Sequence, residues 1–537
     1  MTLILAADFT GELWLLGPDD DAARTVTTAQ IATIEQSDRP RWVLVSASAL
    51  YPAIRRAGVR LDRCIDLTHT EALLLAHAGR HGEAPDLASA LARLRGTETT
   101  HHRQRPSASS EREPLALFGR DTDDGSTDPA SSALLVHDDQ QQRISRLTNA
   151  GAFKLLTAAD SVGALLAVEM TETGLPWDEA IHDALLTDLL GPRPMAGAKP
   201  VILIELAAQI SDAFDGRSIN PDSPAELVAA FARAGIELES TRSWMIKHID
   251  HPAIAPLLKY KELSRIHAAN GWNWLHTWVS NGRFRPEYIP AGVVSGRWAS
   301  RGGGALQIPR RLRGAVVADP GYVLVVADAA QLEPRILAAM SEDPGMMRAA
   351  ESVDMYASLA DEAFGGQRDK AKIGLLGAMY GQVGGGAAAP LQVLRRSYPT
   401  ALKLLEDAAS IGERGGLVRS HLGRTCPPRS QRDPTQPQER ARGRFTRNFI
   451  IQATAAEWAE SLLGLLRRRL FERYSDSAQI VFYQHDEVIV HCVAEHADAV
   501  IAEIADSARA ATSLLFGDVP VRFPLVGKTV RSYADAK

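Results

Sequence analysis

A chain of 537 residues is too long for one ordinary domain, and a hydrophobic share of 45% suits a soluble protein that buries a sizeable core. Lys and Arg number 59 against 65 Asp and Glu, a formal net charge of −6 that taken whole does not mark a nucleic-acid binder. The apolar blocks are short and broken by charge, the start MTLILAADFTGELW lacks the basic stretch and cleavage site of a signal peptide, and Cys64, Cys426 and Cys492 lie too far apart for a disulfide framework or a CxxC zinc site. These features exclude a membrane-spanning or disulfide-stapled class and fit a reducing cytoplasm.

Residues 1 to about 95 read as a small α/β unit, with strand-like runs LILAA and WVLVSA alternating with helical patterns such as EALLLAHAG. The stretch from about 96 to 142 is rich in Ser, Thr, Asp, Gln and Arg, and reads as a flexible linker or long surface loop. Helical patterns follow through AGAFKLLTAADSVGALLAVEMTETG, PAELVAAFARAGI and KYKELSRIHAANGWNWLHTWV. The second of these has Ser223 as N-cap and Pro224 at the first helical position. From about Arg283 the pattern becomes mixed α/β. Two basic stretches stand out: five arginines and no acid from Arg297 to Arg313, and eight arginines against Asp433 and Glu439 from Arg419 to Arg447. Alone, each suits a solvated loop; flanking the acids described next, they suit a surface that tracks phosphates.

In GYVLVVADAAQLEPRILAAM the run Tyr322–Ala327 predicts a buried strand that ends at Asp328, with a helix starting near Pro334. Capping that helix would occupy Asp328 as well as catalysis would. AQIVFYQHDEVIVHC predicts a hairpin with Gln484, His485, Asp486 and Glu487 at its tip. That tip lacks the Gly or Asn of a tight turn, and its adjacent acids repel unless something such as a divalent cation compensates them. Between these motifs, RDKAKIGLLGAMYGQ places Arg368, Lys372, Leu376 and Tyr380 four residues apart on one helical face. Two cations, an apolar side chain and an aromatic suit a triphosphate followed by a base, although snorkelling surface cations give the same pattern. Gly374 and Gly377 each cost such a helix roughly 1 kcal/mol relative to Ala, so they suit a helix that approaches a ligand closely or moves.

These blocks, in this order, resemble the motifs of the family A DNA polymerases, the bacterial polymerase I type. DAAQLEPR at 328–335, RDKAKIGLLGAMYG at 368–381 and QHDE at 484–487 are similar to its three polymerase motifs. SGRWAS at 295–300 and RNFIIQATAAEWA at 447–459 are similar to two further blocks. The resemblance implies an α/β multi-domain chain: a right-hand fold of palm, fingers and short thumb behind an RNase H-like, exonuclease-type α/β domain. The expected division is 1–150 for that domain, 151–282 for a helical connector and reduced thumb, 283–340 and 421–537 for the palm, and 341–420 for the fingers.

The resemblance further implies two Mg²⁺ ions on Asp328 and Asp486, with the neighbouring acid Glu487 as a further candidate ligand. Arg368 and Lys372 would grip the triphosphate, with Gln331, Leu376 and Tyr380 also at the nucleotide. Glu333 would crowd the sugar 2′ carbon. Arg297, Gln307, Arg444, Asn448, Gln452 and His485 would contact DNA. The implied partners are primer-template DNA and dNTPs, acting on a monomer in repair or gap filling. Departures stand at Leu376, an aromatic in the family; at Ala329–Ala330, a Tyr-Ser pair; and at Pro334, a Leu. The segment before Arg283 is short for a thumb. The N-terminal unit lacks the acids of a 3′–5′ exonuclease: Asp8 and Glu12 are too far apart for Asp-x-Glu, Leu50 stands at the second position, and no Tyr precedes Asp160 at the required spacing. Asp66 and Asp160 match only later acids. The expectation is therefore an inactive exonuclease fold with no 5′-nuclease domain before it. A polymerase-shaped DNA-binding protein with little catalysis is the alternative; Glu333 and the His-Asp-Glu order argue against a single-subunit RNA polymerase.

Overall fold

The computed structural model describes residues 1–97, 128–195, 197–301, 308–381, 388–429 and 435–536. The chain divides into two compact units. The first comprises Met1–Thr173, Tyr288–Ala299 and Val325–Thr529; the second comprises Gly174–Glu287, Ser300–Leu324 and Val530–Lys537. The helical section expected to begin at 151 is thus split, because Ala150–Thr173 packs on the N-terminal sheet and on the long helix Gln436–Tyr474 within the first unit.

The first unit opens with strands β1 (Thr2–Ala7), β2 (Leu13–Leu16), β3 (Arg24–Thr25), β4 (Arg41–Leu44) and β5 (Arg63–Asp66). They form one sheet in the order β3-β2-β1-β4-β5, with β1 antiparallel to β2 and parallel to β4. Residues 129–142, expected as linker, instead belong to the helix Pro129–Ser145, whose Asp128 caps its start by accepting from Ser131 N–H at 2.8 Å. Its buried Ala130, Ala133, Val136, Gln140 and Ile144 recur at helical spacing, so packing overrides a polar composition. The rest of that stretch falls mostly outside the described residues.

The helix Ala150–Thr173 is long and apolar enough to cross a membrane by length and composition, although the sequence shows no uninterrupted run. Here it is a core helix, and its two buried acids, Asp160 and Glu169, are both ion-paired. Glu169 meets Arg467 and Arg60 and accepts from Tyr51 Oη at 2.7 Å, which ties three helical elements together.

A second sheet carries the motifs. Its strands are β6 (Tyr322–Ala329), β7 (Ala478–Gln484), β8 (Glu487–Val493) and β9 (Leu525–Val530), in the order β7-β8-β6-β9. β6 is buried from Leu324 to Ala327, as its apolar run predicts.

The second unit packs helices Glu179–Leu190, Val201–Asp212, Pro224–Arg233 and Ile254–Asn270 around Leu186, Ile210, Phe231 and Leu257. Ser223 caps the third of them as expected, accepting from Glu226 N–H at 3.3 Å. Buried His182 accepts at Nδ1 from Trp177 Nε1–H at 3.0 Å, so its Nε2 donates to the Asn270 carbonyl at 2.9 Å. Burial lowers the His182 pKa below the usual 6.5. The unfolded chain therefore binds the proton first as pH falls, and stability drains from about pH 6.5 downward. Protonation would also remove the acceptor that Trp177 uses. We expect the tryptophan fluorescence of this unit to report unfolding at lower denaturant at pH 5 than at pH 7, with His182→Gln weakening that pH dependence.

Candidate active site

β6 and β8 are neighbours, and this adjacency brings the two motif acids together. Asp328 is half-buried at the end of β6, and Asp486 is exposed at the β7–β8 turn. The Ala329 N–H donates to the Asp486 carbonyl at 2.9 Å, so the backbone beside one acid is bonded to the backbone of the other. Glu487, one residue on, is buried at 4% exposure rather than facing out with Asp486. Among the described residues no group of three or more His, Cys, Asp or Glu could hold a metal by itself. Two hard carboxylates without a third suit a cation such as Mg²⁺, which keeps waters and takes substrate phosphates as its other ligands. A soft or tetrahedral metal would need a different donor set.

The helix Arg368–Tyr380 shows its expected face. Arg368, Lys372 and Tyr380 are exposed and Leu376 half-buried, while Ala371, Leu375, Ala378 and Met379 are buried behind them. Gly374 serves packing: a Cβ there would lie 2.7 Å from Pro390 Cβ, so the glycine lets the helix Ala388–Ser397 pack close.

Glu333 links three of the motifs. Its carboxylate pairs with the Arg297 guanidinium and accepts from Tyr380 Oη at 2.7 Å. Burial and the neighbouring Glu333 push the Tyr380 hydroxyl up to about 12, so it stays a donor. Burial, with Arg297 near, holds the exposed-edge His485 below its ordinary value and therefore neutral at pH 7. On the long helix, Arg444, Asn448 and Gln452 stand four apart and line an open cleft of about 380 Å³ together with Tyr380 and Phe445. Gln307 lies outside the described residues.

Two residues at the site, Asp354 and Arg335, are not singled out as candidates by the sequence. Asp354 accepts from Gln331 Nε2 at 2.8 Å and from Arg368 Nε at 2.7 Å, and its carboxylate also caps the helix Met355–Ala363 by accepting from the Tyr356 and Ala357 N–H groups. Burial opposes ionisation there, but Arg368 and Gln331 win and hold this carboxyl down to about 2. Arg335 is fully buried and donates to the carbonyls of Ala330, Ala350, Ser352, Val353 and Arg522, fixing the loop that carries Asp354. Not every arginine of the 419–447 stretch lies at the surface: Arg424 is buried against Asp160 and Glu460.

That pairing also consumes a candidate exonuclease acid. Asp66 accepts from Ala47 N–H at 2.7 Å and His69 N–H at 2.8 Å as a helix cap, and Asp8 accepts from Thr10 N–H at 2.8 Å and Glu12 N–H at 3.0 Å inside a turn. Among the described residues no group of three or more His, Cys, Asp or Glu that could hold a metal gathers there. Around Arg424, three carboxyls, Asp160, Glu457 and Glu460, compete for one cation. Burial and Asp160 raise the Glu460 pKa well above the usual range, so Glu460 keeps its proton at neutral pH. Replacing Glu460 by Gln, which has the same shape and also donates, should cost under about 1 kcal/mol. Asp160→Asn leaves Arg424 undercompensated and should cost about 3 kcal/mol or more in chemical denaturation.

Residues 202–529 match the family model described as DNA polymerase family A. The thermostable DNA polymerase I of Thermus thermophilus is 26% identical over 311 residues, 51% of this chain and 35% of that protein. The DNA polymerase I of Aquifex aeolicus is 28% identical over 294 residues, 49% of this chain and 48% of that protein. The matches thus span a third to a half of those relatives' length. The fold is similar to the POL domain of Pol1 from M. smegmatis, solved in complex with DNA primer-template and dNTP: TM-score 0.75 at 19% identity, covering 100% of this chain and 96% of that one. With more than half of its length matched by the family model, the chain belongs to the family A DNA polymerases.

Proposed function

We propose that this protein is a DNA-directed DNA polymerase that adds dNTPs to a primer 3′-hydroxyl. The observation that carries this reading is the bond from Ala329 N–H to the Asp486 carbonyl, which ties the turn bearing Asp486 to the strand end bearing Asp328. Asp328 and Asp486 would hold two Mg²⁺ ions, which when bound supply activation of the 3′-hydroxyl and charge neutralisation at the triphosphate. Glu487 is buried and plays at most an indirect part.

The chain's own residues do the rest. Lys372 and Arg368 present fixed positive charge to the triphosphate, and Arg368 must leave Asp354 to do so. Glu333, held by Arg297 and Tyr380, stands as a wall against a 2′-hydroxyl. Tyr380 and the cleft bearing Arg444, Asn448 and Gln452 would receive the nascent pair and its minor groove. Leu376 offers no ring for stacking, which is worth roughly 1–3 kcal/mol per base, so nucleotide affinity should be modest.

The N-terminal sheet order supports an RNase H-like, exonuclease-type domain that has lost its metal acids. Gap filling in DNA repair suits a polymerase without proofreading on the expected reduced thumb. Purified protein with Mg²⁺, dNTPs and a primed template should extend the primer. It should leave a single-stranded 3′ end intact in the same buffer. No extension would sink the polymerase reading, and robust metal-dependent digestion would sink the inactive-exonuclease reading.

A further inference from the structure

The β7–β8 hairpin turns on His485 and Asp486, neither of them glycine or asparagine. His485 adopts φ 55°, a left-handed conformation that a β-carbon disfavours. Its side chain reaches solvent, so close packing does not impose that conformation. The bond that does is local: Tyr483 Oη donates to the His485 carbonyl at 2.7 Å. On the other side of the turn the Asp486 N–H donates to the Gln484 carbonyl at 2.7 Å, and the Ala329 N–H to the Asp486 carbonyl at 2.9 Å. Tyr483 is itself anchored. Its ring is buried and meets Trp298 edge-on at 5.2 Å, and Trp298 Nε1–H donates to Glu460 at 3.1 Å.

We propose that Tyr483 is a positioning residue: its hydroxyl holds the strained His485 and so aims Asp486 beside Asp328. Resting on the polymerase reading, the inference adds a chain of contacts from the buried Glu460 through Trp298 and Tyr483 to the catalytic turn. Strand alternation alone would not supply this, because the turn residue before Asp486 lies outside the ladder.

Tyr483→Phe keeps the ring and removes the hydroxyl. Tyr288→Phe is the control: Tyr288 packs on Trp298 at 6.1 Å, and its hydroxyl has no hydrogen-bond partner among the described residues. The first readout is hydrogen–deuterium exchange without metal, in peptides covering 484–488 and Ala329. Tyr483→Phe should speed exchange there by roughly 3- to 10-fold, the size of one lost hydrogen bond, and leave Gln436–Tyr474 unchanged. The second is primer extension: the Mg²⁺ concentration giving half-maximal rate should rise by roughly the same factor, with the KM for dNTP at saturating Mg²⁺ unchanged. Tyr288→Phe should match wild type in both. Wild-type exchange at the turn in Tyr483→Phe, or equal acceleration in Tyr288→Phe, overturns the clamp. Because exchange needs no turnover, a wild-type protein that fails to extend primers would refute the polymerase reading and leave this arm decisive.

Discussion

Asp486→Asn should lower the rate of primer extension by about 10³-fold or more while leaving the melting temperature within roughly 2 °C of wild type. The asymmetry follows from where the side chain stands. Asp486 is exposed at a hairpin tip, and the bond that ties this residue to β6 uses its backbone carbonyl, which Asn retains. The substitution therefore removes charge from the site and little from the fold. Each tenfold in rate is about 1.4 kcal/mol of transition-state stabilisation, and losing a ligand to a cation that neutralises a triphosphate removes several kcal/mol. Asp328→Asn should behave alike in turnover and cost more stability, because that side chain is half-buried. Single-turnover extension at saturating dNTP measures the first quantity, and thermal denaturation the second. A rate within tenfold of wild type in both variants would place the chemistry elsewhere.

What the sequence made legible was whatever depends on nearby residues. The buried strand before Asp328, the hairpin around Asp486 and the cation–apolar–aromatic face of Arg368–Tyr380 all follow from periodicity, and all three stand in the structure. What it concealed depends on partners far along the chain. Nothing near Asp354 announces that it will collect Gln331 and Arg368, and Arg335 is an ordinary helical arginine until five carbonyls surround it. Asp160 looked like a displaced exonuclease acid; its partner Arg424 is 264 residues away. The helix Pro129–Ser145 was hidden for a different reason. Its buried stripe begins with the small residues Ala130 and Ala133 and is interrupted by Gln140, so the surrounding Ser, Asp and Gln outweigh its signal. The spacing was present in the sequence, but only packing against β1 and β2 gives it force.

Glu169→Gln should destabilise the first unit by about 3–5 kcal/mol, lowering its melting temperature by on the order of 5 °C or more. Glu169 is buried between two guanidinium groups, Arg467 and Arg60, and also accepts from Tyr51. Removing the anion leaves two buried cations facing each other without a counter-charge, a far larger loss than one hydrogen bond. Arg467 would keep its bonds to the Leu61 and Asp62 carbonyls, so the arginines have no easy escape to water. The pH dependence separates this cause from simple mispacking. Burial alone would raise the Glu169 pKa, but Arg467 and then Arg60 overcome it and hold the carboxyl down to about 2, below the ordinary 4.5. A depressed folded-state value means stability that is fully present above about pH 4.5 and lost as pH falls toward 2. Wild type should therefore show a steep acid limb in that window when denaturation midpoints are plotted against pH. Glu169→Gln cannot titrate, so its curve should flatten there and approach wild type at pH 2–3. A constant offset between the two curves from pH 7 to pH 3 would show that lost packing, not the buried charge, sets the cost.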